Sequence, residues 1–69
     1  MITRLKYERM KTGFKQVELA KKTHINPTVL CALEGRKIVA DTRHQELLEQ
    51  ALEIPASELF EDNGLARLQ

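Results

Sequence analysis

Apolar residues along this chain recur at helical spacing, in five short stretches separated by polar or glycine breaks. The first pattern covers about residues 2–12, where Ile2, Leu5 and Met10 form a stripe and Gly13 is a natural left-handed stop. A second covers about 16–23, with Val17, Leu19 and Ala20 apolar. The third covers about 27–34: Asn26 is a good N-cap, Pro27 suits the first helical position, and Leu30 and Leu33 share a face. Gly35 follows at once as a stop.

A loop then runs over residues 36–41. The spacing Thr42-Arg43-His44-Gln45 fits a capping box and predicts a fourth helix, continued by Leu47, Leu48, Ala51 and Leu52 on one broad apolar face. Pro55 opens a short fifth helix anchored by Leu59 and Phe60, and Asn63-Gly64 ends it. Helices this short do not stand alone in water, so their apolar faces must share one core. The expected core is Leu5, Leu19, Ala20, Ile25, Leu30, Leu33, Leu47, Leu48, Leu52, Ile54 and Leu59. The expectation is an all-α fold: one compact domain of four or five helices over residues 1–62, with 63–69 as a tail that is loose or packs on a partner.

Composition narrows the class. Sixty-nine residues leave no room for a second domain. An apolar share of 42% is too high for a disordered chain, and no apolar run approaches the length of a membrane helix. Met1 leads directly into Ile2-Thr3-Arg4-Leu5-Lys6, which is not a signal-peptide pattern. The lone Cys31 excludes an internal disulfide and makes no familiar zinc spacing with His24 and His44, so a reducing, cytoplasmic setting without metal or cofactor is expected.

Charge changes the picture more. Residues 1–37 hold nine Lys or Arg against three Glu, a net of +6, whereas residues 38–69 hold two Arg against seven acids, a net of −5. The basic half suits a polyanion; the acidic half must point away from one or meet a partner.

Residues 16–34 read as two short helices joined by a very short connection, which forces a steep crossing and presents the second helix as a ridge. Such a ridge fits a major groove about 12 Å wide. The run Gly13-Phe14-Lys15-Gln16-Val17-Glu18-Leu19-Ala20, followed by Ile25-Asn26 and Leu30-Cys31-Ala32-Leu33-Glu34, resembles the Cro/repressor-type helix-turn-helix family, also called the xenobiotic-response-element family. Arg9, four residues before Gly13, also matches, and the likeness extends weakly through Leu52-Glu53-Ile54 to Glu58-Leu59-Phe60.

That resemblance implies a sequence-specific DNA-binding transcriptional regulator, whether repressor, activator, antitoxin or restriction-control protein, with a recognition helix over about 27–34 and a homodimer on a pseudo-palindromic site. It places Gln16 on a phosphate and against the recognition helix, and pairs Arg9 with Glu34 in a partly buried ion pair. It puts Pro27, Thr28, Cys31 and Ala32 at base-reading positions, and Lys6, Lys15, Arg36 and Lys37 on phosphates. Asn26 reads a base if it is not consumed as a cap. The homodimer is expected through the C-terminal third, with Leu59, Phe60, Leu65 and Leu68 as anchors.

Two departures stand out: His24 occupies a turn position where Gly is commonest, and Gly35 comes one residue early. The base-reading positions are also small or apolar, so direct readout is expected to be weak and DNA shape or dimer spacing to count for more. Nothing in the sequence assembles an active site: Cys31, His24 and His44 lie in separate contexts and no glycine-rich phosphate loop is present. The alternative to DNA binding is a protein-interaction module on the same helical scaffold, its acidic, leucine-bearing half meeting a partner protein.

Overall fold

Three of the four longer helices begin at a residue whose side chain accepts from a free N–H of the first turn. In the computed structural model, which describes residues 2–69, Thr3 caps α1 (Arg4–Lys11) by accepting from the Lys6 N–H. Asn26 caps α3 (Pro27–Glu34) by accepting from the Thr28 N–H, with Pro27 in the first turn where its missing N–H costs nothing. Between them lies α2 (Gln16–Thr23), where the Glu18 carboxylate reaches back to the Lys15 N–H at 2.8 Å. Met1, on which the expectation about a signal peptide rests, lies outside the described residues.

The fourth helix, α4 (Thr42–Leu52), starts one residue earlier than the capping box implies. Asp41 accepts from the His44 N–H at 2.8 Å, so Thr42 is already helical. Both residues are competent caps; the carboxylate also favours the positive end of the helix dipole. After Pro55, α5 (Ala56–Leu59) makes a single turn and ends at Leu59, four residues before Asn63.

The architecture is all-α among the described residues. Its core comprises Leu5, Leu19, Ala20, Ile25, Leu30, Leu33, Leu48, Leu52 and Leu59, joined by Ala40, Phe60 and Ala66. Leu47 and Ile54, expected inside, are only partly covered and lie against the core's edge. Met10, expected on the buried stripe of α1, is 56% exposed; Glu8 and Arg9 occupy the inner face instead.

The C-terminal tail is not loose. It runs back along the protomer, with antiparallel bridges between Phe60 and Ala66 and between Thr3 and Leu68. The Arg4 N–H donates to the Arg67 carbonyl at 2.7 Å, and the Gln69 N–H to the Ile2 carbonyl at 2.8 Å. Leu59 and Phe60 are thereby sealed inside, so two of the four anchors expected at a dimer interface are core residues; Leu65 is half-buried and Leu68 exposed.

Candidate nucleic-acid interface

The junction of α2 and α3 carries most of the residues singled out by sequence. Only His24, Ile25 and Asn26 separate the two helices. His24 turns the chain in the left-handed region at φ 59°, and Ile25 drops into the core, so α3 leaves α2 abruptly with its N-terminal end in solvent.

Behind α3 sits a buried charge network. The Arg9 Nε donates to Glu34 Oε2 at 2.7 Å, and the second guanidinium nitrogen donates to Oε1 at 3.2 Å, a two-pronged pair between the first helix and the end of the third. Arg9 also donates to the Phe14 carbonyl at 2.9 Å, which fixes the turn leading into α2. The Gln16 amide donates to the same Glu34 Oε1 at 3.2 Å. Glu34 therefore ties α1 and the start of α2 to the end of α3 through one carboxylate, and Arg9 extends the tie to the α1–α2 turn. Thr3 adds a fourth tie, its hydroxyl donating to the Glu34 carbonyl at 2.8 Å. Sequence reasoning did not single out Thr3, although a threonine just before a helical run is a recognisable N-cap.

On the outer side, Gln16, Pro27, Thr28, Cys31, Ala32 and Lys37 line one open depression of about 470 Å³. These are six of the ten expected contact residues, and they come from three places: the start of α2, the outer face of α3, and the loop beyond it. Thr28 and Cys31 are exposed, and Ala32 is half-buried.

The other four are placed differently. Lys15 is exposed immediately before Gln16 at the start of α2. Lys6 is exposed on α1 and does not line the depression. Asn26 spends its side-chain oxygen on the cap of α3, so a paired adenine contact through that side chain is not open to it. Arg36 donates to Glu61 at 2.9 Å and is half-buried, with its Nε enclosed and unpartnered among the described residues. Its guanidinium is drawn toward the C-terminal half and away from a free phosphate-contacting position.

Gly35 does not make the left-handed turn that its position suggested. It takes φ −92°, and Arg36 takes φ 59°. The left-handed residue thus falls one place after the glycine, and Arg36 bears the strain.

The electrostatics are set by exposed cations. The hydrogen bond that Arg4 donates to the Glu8 carboxylate raises the Arg4 pKa further above its ordinary high value. Lys22 of α2 lies 5.4 Å from the centre of the Phe14 ring. No group of three or more His, Cys, Asp or Glu able to hold a metal ion occurs among the described residues, and no helix there is long and apolar enough to cross a membrane. Comparison with family models, with curated proteins and with solved structures returns no match to this chain.

Proposed function

We propose that this chain is a DNA-binding transcriptional regulator without catalytic activity, which sets α3 into the major groove. The observation that carries the reading is the shared depression: Gln16, Pro27, Thr28, Cys31, Ala32 and Lys37 come from separate segments yet open on one face. An outward-facing short helix beside the start of a second helix gives base contacts from the first and phosphate contacts from the second. The Arg9–Glu34–Gln16 network supports it by fixing α3 against its scaffold, since a reading helix must hold its side chains in register with base edges. The resemblance to the Cro/repressor-type family is independent support. In this reading Gln16, Lys15 and Lys37 bind phosphates, and Thr28 and Ala32 face bases.

The protein measures 26 × 22 × 21 Å, less than the roughly 34 Å of one duplex turn. One copy therefore spans one exposure of the major groove, and the reading takes two copies on a two-fold site. Selection of bound duplexes from a random pool tests it: recovered sites carry two related half-sites. Gln16→Ala and Lys37→Ala weaken binding to every sequence, whereas Thr28→Ala changes the preferred one. A pool that yields no enrichment with folded protein at low salt contradicts the proposal.

A second reading, protein binding without DNA contact, has one observation in its favour. Ile38 and Val39, adjacent in the loop before α4, are 40% and 56% exposed. The same selection decides between the two.

A further inference from the structure

The depression on α3 holds few groups able to make paired hydrogen bonds to a base. Gln16 donates its amide to buried Glu34, and Asn26 has committed its oxygen to the helix cap. Lys37 is a single point charge rather than a fork. What remains along α3 is the Pro27 ring, the Thr28 methyl and hydroxyl, the Cys31 thiol and the Ala32 methyl, at relative positions i, i+1, i+4 and i+5 on one helical face. That face extends about 7.5 Å along the helix, roughly two base steps of about 3.4 Å.

A small apolar strip flanked by cations has one good complement in the major groove. The thymine C5-methyl is the only apolar group a standard base pair presents there, and alanine and threonine methyls are its usual partners. The exposed Lys15 and Lys37 supply attraction to the surrounding phosphates without choosing a sequence.

We infer that α3 selects its site by packing Pro27, Thr28, Cys31 and Ala32 on the C5-methyl groups of one or two neighbouring pyrimidines, so that methyl contact carries the sequence preference. The inference rests on the DNA-binding reading above. It implies that 5-methylcytosine substitutes for thymine at a contacted position as far as the methyl is concerned.

The test uses the full chain and the duplex selected from the random pool, remade with deoxyuridine in place of each thymidine in turn. That exchange removes only the methyl and keeps base pairing. Loss of one contacted methyl is expected to weaken binding about fourfold. The effect is confined to one or two thymines in each half-site. Deoxyuridine also changes duplex flexibility, so the same duplexes are measured with Thr28→Ser, which removes the protein methyl and keeps the hydroxyl, and with Ala32→Ser. Both changes sit on the outer face of α3 and leave the core intact. In at least one variant the fourfold loss shrinks toward unity at its contacted position. Binding that is equally tight with uracil at every position overturns the methyl inference while leaving DNA binding in place. A uracil effect unchanged by both variants overturns it too, by assigning the effect to DNA shape. Failure to bind any duplex overturns the DNA-binding reading itself.

Discussion

Arg9 and Glu34 are the residues on which the geometry of the interface turns. Their side chains are 10% and 3% exposed and joined by two hydrogen bonds, so neither charge has water to fall back on. Removing one partner leaves the other buried and alone. Glu34→Ala is therefore expected to lower stability by about 3–5 kcal/mol in chemical denaturation, far more than an exposed pair would lose. A loss below about 1 kcal/mol would mean that the pair is solvated in solution. Residue-scale strain lies elsewhere, at the three non-glycine positions with positive φ among the described residues: His24, Arg36 and Glu53. His24 is exposed and makes the turn between α2 and α3, so His24→Gly relieves a left-handed β-carbon at no packing cost. Thermal unfolding should show a gain of about 0.5–1 kcal/mol after the added flexibility of glycine in the unfolded chain is counted. A net loss would show that the imidazole makes a contact worth more than the strain.

At the scale of elements, α2 and α3 are the best-specified parts of the chain and the tail the least. The bounds of α3 were legible because its signals are local: an asparagine–proline start, apolar residues three apart, and a glycine at the end; α2 was legible from Val17, Leu19 and Ala20. The cap of α4 was misjudged by one residue because Asp41 and Thr42 both suit the role and only the fold shows which faces His44. The path of residues 63–69 was not legible at all. It is held by backbone groups, Arg4 to Arg67 and Gln69 to Ile2, and backbone pairing leaves no period in the side chains. The burial of Phe60, expected only at an interface, follows from that path, and Leu59, expected both in the core and at an interface, is in the core. The network behind α3 was half legible. Arg9 and Glu34 were paired through the resemblance, but the share of Gln16 and Thr3 in the same residue required the fold. Gly64 pins the returning tail: at φ 92° its missing β-carbon lets the Ala40 carbonyl approach, where an added one would lie 2.8 Å from that oxygen. Gly64→Ala is expected to cost about 1–3 kcal/mol and to loosen the tail first, seen as faster amide exchange at Arg4 and Gln69. Unchanged protection there would detach the tail from Gly64.

At the scale of the whole molecule, the division of charge along the chain is partly folded away. Glu58 lies 3.6 Å from Arg4 and Glu61 lies 2.9 Å from Arg36, so acids of the second half neutralise arginines of the first. With Arg9 held by Glu34, all three arginines in residues 1–37 are committed within the protomer, and Arg4 also holds Glu8. The cations left to meet a polyanion are chiefly lysines, among them Lys6, Lys15 and Lys37, which are exposed. Lysine contacts carry affinity but little sequence information, which leaves selection to the small side chains of α3. The affinity of the folded protein for duplex DNA as a function of salt concentration tests this account most directly. If Lys15 and Lys37 each neutralise one phosphate, the logarithm of the binding constant falls linearly with the logarithm of salt, with a slope of about −1.8 per protomer. Absence of binding at low salt, or an affinity indifferent to salt, contradicts it.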